Sequence, residues 1–90
     1  MIAAALEDLT WSEDAVATIA ALVIAQETVT ADDLRREMRP APHHNHIGAA
    51  FSAARSQGLI EAAGYTTSNA PSRHHGVLRT WRRKADGIVR

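Results

Sequence analysis

Two clusters of histidines hold the side chains in this sequence that are best suited to chemistry. His43, His44 and His46 lie within four positions, and His74 and His75 are adjacent. Imidazole binds zinc and nickel well and acts as a general base near neutral pH. No carboxylate stands near either cluster in the sequence to orient the rings, as metal-binding histidines normally require. We therefore predict no metal site, and we expect these histidines to supplement a basic surface as the pH falls.

Asn45 completes the run His43-His44-Asn45-His46, which has the letters of an HNH nuclease motif. That motif separates its residues across a hairpin and a helix, whereas here they are contiguous and no further ligand follows at a suitable spacing. No serine–histidine–acid arrangement or glycine-rich phosphate loop stands out either. The sequence contains no cysteine, which excludes thiol catalysis and cysteine zinc sites. We predict that the protein is not an enzyme and has no cofactor.

The charges are balanced in total but unevenly distributed along the chain. Residues 1–45 carry eight acids and three arginines, whereas residues 46–90 carry two acids and seven basic residues. All five histidines lie at or after position 43. The acids could simply cap helices, or the basic half could form a surface for a polyanion. The composition leaves both interpretations open.

Ninety residues suffice for one domain with one small core. No apolar run approaches the roughly 20 residues of a membrane span, and no basic-then-apolar leader opens the chain. The sequence therefore predicts a cytoplasmic protein with no membrane contact. We divide it into an N-terminal arm (1–11), a domain (12–84) and a tail (85–90).

Apolar spacing predicts two helices in the first part of the chain. The first is a short amphipathic helix over residues 2–9. The second begins after Thr10 or Ser12 and continues to about Ala25, with Trp11 as a lid on the N-terminal helix. Its predicted buried stripe consists of Val16, Ile19, Ala20 and Val23.

The next helix is predicted by a capping signal at its N-terminus. Thr30, followed three residues later by Asp33, forms a capping box and starts a helix over residues 31–38, with Leu34 and Met38 on its buried side. The two prolines that follow end this helix.

A further helix is predicted over residues 43–57, and Gly58 follows at the position of a left-handed C-terminal cap. Residues 59–68 and 77–83 have strand-forming composition and are joined by a polar loop, which predicts a long hairpin. The pair Thr28-Val29 is expected to form a single β-bridge, and Trp81 to pack in the core on Phe51 or Tyr65. The predicted buried stripe of this helix consists of Ile47, Ala50, Phe51 and Ala54.

This order of elements resembles a winged helix-turn-helix over most of the chain. The segments that carry the resemblance are Thr30-Ala-Asp-Asp-Leu-Arg, Ile47-Gly-Ala-Ala-Phe, Gly58-Leu-Ile, Gly64-Tyr-Thr-Thr-Ser-Asn-Ala-Pro, Arg73-His-His-Gly and Val77-Leu-Arg-Thr-Trp-Arg. The chain is similar to the small winged-helix proteins of actinobacteria and their phages. The resemblance implies an α+β fold, with a three-helix core, a two-stranded β-hairpin wing and here a short extra N-terminal helix. It also implies a transcriptional or phage regulatory protein that binds double-stranded DNA.

A helix that enters the major groove needs short or polar residues on its outward face. Opposite Ile47, the helix 43–57 carries a small, uncharged face, on which Asn45 could bond an adenine edge or instead cap the helix. Arg55 beside this face would suit a phosphate. The candidate DNA-binding residues on this helix are His44, Asn45, His46, Ala49, Ser52, Arg55 and Ser56.

The loop of the hairpin is the second candidate contact. Arg73, His74 and His75 stand at the tip of the wing 68–76, where side chains can enter a minor groove or meet phosphates. Arg79 on the following strand is a further candidate, although the sequence does not show which basic residues of that strand face the DNA.

The alternative function is a winged-helix module that binds a host or replication protein, because no lysine or arginine projects from the centre of the helix 43–57. The apolar stripe of Ile2, Leu6 and Leu9 could pair two copies into a homodimer, or dock on the core of its own chain.

Overall fold

The structure is a computed structural model and describes residues 10–67 and 76–84. Over these residues the protein is α+β, with three helices followed by a two-stranded antiparallel hairpin. The predicted helix 2–9, the tip of the wing and the tail lie outside the described residues. The elements are α1 (Trp11–Ala25), α2 (Ala31–Glu37), α3 (Asn45–Ser56), β1 (Ile60–Thr67) and β2 (Val77–Arg83).

Helix α1 ends where predicted, but its buried face is rotated from the predicted one. Val16 and Ala20 are only half-buried, whereas Ala15 is fully buried. The reason is Trp11, which is not a lid but a fully buried core residue whose Nε1 donates a hydrogen bond to the carbonyl of Arg39 at 3.0 Å. The buried indole turns the stripe onto positions four apart: Trp11, Ala15, Ile19 and Val23.

The predicted capping box at the start of α2 is confirmed. The Thr30 hydroxyl accepts from the Asp33 N–H at 3.3 Å, and the Asp33 carboxylate accepts from the Thr30 N–H at 2.8 Å. Leu34 is fully buried. The helix ends at Glu37, one residue earlier than predicted, because Met38 is extended ahead of the prolines and is only half-buried.

Helix α3 is shorter than predicted at its N-terminus and buries the four predicted residues. At its other end, Gly58 has the left-handed φ of +79° that the sequence predicts. The Gly58 N–H donates to the Arg55 carbonyl and the Leu59 N–H to the Ala54 carbonyl, both at 3.0 Å. This pair of bonds is a Schellman motif, which turns the chain directly into the hairpin.

The hairpin is joined to the helices by the predicted bridge at Val29. The N–H of Val29 donates to the Trp81 carbonyl at 2.8 Å, and the Trp81 N–H donates back at 2.9 Å. Strand β2 therefore lies between Val29 and β1. Trp81 is half-buried and stacks on Phe51 with the ring centroids 5.7 Å apart, as predicted for one of its two alternative partners.

The core of the described residues lies between the three helices and the start of the hairpin. Its largest fully buried side chains are Trp11, Ile19, Leu34, Ile60 and Val29. Within the described residues, no helix has the length and apolar character needed to span a bilayer.

Candidate nucleic-acid interface

The outward face of α3 consists of the residues that the core does not use. Five of the seven candidates on this helix are exposed on it, and Gly48 is exposed beside them. Arg55 is its one basic residue, and helix α3 contains no acid. These exposed candidates are Asn45, Ala49, Ser52, Arg55 and Ser56.

Asn45 is the first residue of α3 and not its cap, which settles one of the two roles considered for it. The N-cap is His44, and the backbone N–H of Asn45 donates to Nδ1 of His43 at 3.3 Å. The side-chain amide of Asn45 makes no hydrogen bond to any residue that the structure describes, and it is exposed. It is therefore available for an external partner.

The other two candidates, His44 and His46, lie in different environments. His44 is exposed and stacks on His43, with the ring centroids 4.4 Å apart. His46 instead packs edge-on against Trp11 at 5.9 Å, and its Nδ1 is buried without a hydrogen-bond partner in the described part of the chain. The sequence placed His46 at the border of the outward face, whereas in the structure it belongs to the flank of α3 that faces α1.

Arg79 is the basic residue of β2 that lies towards α3, a direction that the sequence left open. Its Nη2 donates to the Tyr65 hydroxyl at 2.8 Å, and its guanidinium lies 5.3 Å from the Tyr65 ring centroid and 5.5 Å from that of Trp81. Arg82 is paired with Glu61 at 2.7 Å instead. Arg79 is therefore held in place by two aromatic rings and remains exposed.

A recess of about 270 Å³ joins α2, α3 and β2, and we call it the α3 recess. The sequence did not predict the participation of Arg35 and Gly48, because it depends on how α2 and β2 pack against α3. The lining residues are Ala31 and Arg35 from α2, Ile47, Gly48 and Phe51 from α3, the preceding His44, and Leu78, Arg79 and Trp81 from β2.

Gly48 in the middle of α3 has no structural explanation within the described residues. Its backbone is helical, and a Cβ built on it would meet no atom within 4 Å. A glycine at such a position destabilises a helix by about 1 kcal/mol relative to alanine. The packing of the described chain therefore does not require a glycine here.

Three of the eight acids in the first half of the chain are paired with nearby arginines. Asp14 pairs with Arg39 at 3.0 Å, Asp32 with Arg35 at 2.9 Å, and Asp33 with Arg36. In contrast, Arg55 has no ion-pair partner among residues 10–67 and 76–84. Some of the acids that make the first half of the chain negative therefore cap a helix or pair with a nearby arginine. This agrees with one of the two interpretations of the charge asymmetry.

The predicted wing contacts Arg73, His74 and His75 lie outside the described residues. In the part of the chain that the structure describes, no group of three histidine or acidic side chains is arranged to hold a metal ion. Comparisons of the chain with protein-family models, with curated proteins and with solved structures give no match.

Proposed function

We propose that this protein binds double-stranded DNA with a preference for sequence, as a small cytoplasmic regulator of transcription or of a phage. Helix α3 lies in the major groove and the wing 68–76 lies on the neighbouring minor groove. In this proposal the fold is a winged helix. Its support is the order of three helices and a hairpin, together with the single-residue bridge that joins Val29, between α1 and α2, to Trp81 of β2.

The observation that carries the proposal is the composition of the outward face of α3. A helix face that meets only solvent usually carries lysine and glutamate, whereas this one has short side chains and a single arginine. Short side chains let the helix backbone approach the edges of the bases. The absence of acids from α3 avoids repulsion by phosphates.

Individual residues of this face have suitable chemistry for both kinds of contact. The exposed amide of Asn45 can donate to and accept from an adenine, which is the bidentate pairing that asparagine makes in the major groove. The Ser52 hydroxyl can bond a base or a phosphate. Arg55, at the edge of the face and without an ion-pair partner among the described residues, suits a phosphate.

A gel-shift assay with fragmented genomic DNA, at low and at high salt, tests the proposal. We expect the protein to bind DNA at low salt and to remain bound to a preferred subset of the fragments as the salt concentration rises. Two matched variants locate the surface, because Ala49 on α3 and Ala21 on α1 are both exposed helical alanines. Ala49→Glu should abolish binding and Ala21→Glu should leave it unchanged, although both variants gain the same charge.

One observation favours the alternative, a module that binds another protein. A groove of about 470 Å³ with apolar walls runs between α1 and the C-terminal half of α3, on the opposite flank from Gly48. If the wild-type protein does not bind DNA at low salt, the DNA-binding proposal is wrong and this alternative becomes the better one. The apolar residues of the groove are Val16, Ala17, Ala20, Ala53 and Leu59.

Pairing of two copies through residues 2–9 stays a prediction.

A further inference from the structure

We propose that the α3 recess holds one phosphodiester group of the bound DNA strand, with Arg35 of α2 and Arg79 of β2 as the charged part of its lining and Gly48 leaving open space beside the helix backbone. This inference rests on the proposed DNA-binding function and deepens it. It adds a contact between α2 and the sugar–phosphate backbone of the DNA, and it gives a role to a glycine that the packing of the described chain does not require.

The first step of the argument is the space at Gly48. The position is helical, exposed and part of the lining of the recess, and a Cβ there would point into open space. A residue that weakens its helix and fills no internal need is expected where an outside group approaches the backbone closely. Because Gly48 has no side chain, an atom of the ligand can approach the backbone of α3 in the space that the Cβ of any other residue would occupy.

The second step is the charge on either side of that space. Arg35 reaches the recess from α2 and Arg79 from β2, so the two guanidiniums approach it from different elements. Arg35 keeps 44% of its side chain exposed while it is paired with Asp32. A guanidinium has five N–H donors, and the described bonds of Arg35 and Arg79 occupy only some of them.

The third step is the orientation of Arg79. Its hydrogen bond to Tyr65 and its contacts with the rings of Tyr65 and Trp81 hold the guanidinium before any ligand arrives. Holding it in this way lowers the entropic cost of binding. A guanidinium can donate two parallel N–H bonds to the oxygens of one phosphate. The apolar wall formed by Phe51, Leu78 and Trp81 suits the adjoining deoxyribose.

The structure offers two matched control arginines. Arg36 neighbours Arg35 on α2 and is also paired with an aspartate three residues earlier, but it is not part of the recess. Arg82 shares β2 with Arg79 and is also bonded to a side chain of β1, yet it too lies outside the recess. Each arginine-to-glutamine change removes one charge, so general electrostatic attraction falls equally in all four variants.

The experiment measures the affinity of a selected DNA fragment as a function of salt concentration. For the double variant Arg35→Gln/Arg79→Gln we expect the slope of log affinity against log salt to become shallower by about 1, the loss of one phosphate contact, and for either single variant by less. Arg36→Gln and Arg82→Gln should keep the wild-type slope. The double variant Arg35→Gln/Arg79→Gln should lose less than the product of the two single losses, because both residues contact the same phosphate.

Gly48→Ala gives a readout that does not depend on charge. We expect it to raise the melting temperature and to weaken DNA binding about tenfold or more, which a merely structural glycine would not do. Inorganic phosphate at millimolar concentration should compete for the recess only weakly; strong competition would show that the site serves a free anion, and would overturn the proposal.

The outcomes separate this inference from the proposed function. If wild-type protein binds DNA and Ala49→Glu does not, the function stands. If in that case Arg35→Gln matches Arg36→Gln, Arg79→Gln matches Arg82→Gln, and Gly48→Ala binds as wild type, the phosphodiester site is wrong. If the wild type binds no DNA, both proposals are wrong.

Discussion

Variants of Asn45 separate its effect on the stability of α3 from its proposed contact with DNA. It occupies the first turn of α3, where a negative charge interacts favourably with the helix dipole by about 0.3–1 kcal/mol. We therefore expect Asn45→Asp to raise the melting temperature slightly while it weakens DNA binding through repulsion by phosphates. Asn45→Ala should bind with relaxed preference at a nearly unchanged melting temperature. Parallel changes in melting and binding for both variants would contradict a contact with DNA.

His46 carries a buried polar atom that no residue described by the structure satisfies. Its Nδ1 has no hydrogen-bond partner among residues 10–67 and 76–84, and an unsatisfied polar atom costs about 1–3 kcal/mol. His46→Phe keeps the edge-on ring contact with Trp11 and removes the polar atom, so we expect a stability gain of about 1 kcal/mol in a denaturant titration. His43→Phe is the control, because it removes the acceptor of the Asn45 N–H and should give no gain. A loss of stability in His46→Phe would show that the ring nitrogen is hydrated.

At the scale of elements, the start of α2 depends on one side chain. The Thr30 hydroxyl and the Asp33 carboxylate satisfy each other's backbone N–H groups. We expect Thr30→Ala to cost about 1 kcal/mol of folding free energy, measured by thermal melting followed by circular dichroism. Thr28→Ala, two residues earlier, is the control, since its exposed side chain caps nothing. Equal melting temperatures for the two variants would contradict the capping role.

Helix α3 is anchored to the hairpin by the stack of Phe51 on Trp81. Phe51 is 4% exposed, and truncation of a buried phenylalanine costs about 3–5 kcal/mol. Because a domain of this size has little stability to lose, Phe51→Ala should be largely unfolded at 25 °C by circular dichroism. Ser52→Ala, on the exposed face next to it, should melt as the wild type. A folded Phe51→Ala protein would show that the stack contributes little.

The elements themselves could largely be predicted, because each depends on local signals. The capping box at Thr30, the left-handed Gly58 and the buried residues of α3 all follow from spacing within a few residues. Trp11 could not be assigned in this way, since its burial depends on the carbonyl of Arg39, 28 positions away. The meeting of Arg35 and Arg79 at one recess likewise results from packing of α2 and β2 on α3.

At the scale of the whole molecule, formal neutrality should limit how steeply DNA binding depends on salt concentration. Attraction of the entire protein to DNA is weak, so affinity must come from the few arginines placed at the interface. If Arg55 and Arg73 each neutralise one phosphate, and Arg35 and Arg79 share a third, the slope of log affinity against log salt is about −3. Gel shifts between about 50 and 200 mM salt measure this slope, and affinity should fall about fiftyfold over that range. A slope near zero would exclude phosphate contacts.

The bridge between Val29 and Trp81 also gives the molecule an internal reporter. Its two hydrogen bonds join the segment between α1 and α2 to the last strand, so neither can open unless the hairpin leaves the helices. The two amide protons should therefore exchange with deuterated water only when the whole domain unfolds, and at a common rate. A DNA fragment that binds only the folded state should slow both exchanges by the same factor, which is one plus the ratio of the free DNA concentration to its Kd. Exchange at these two amides would thus measure the affinity for DNA through two backbone N–H groups, without a label on any side chain of the interface.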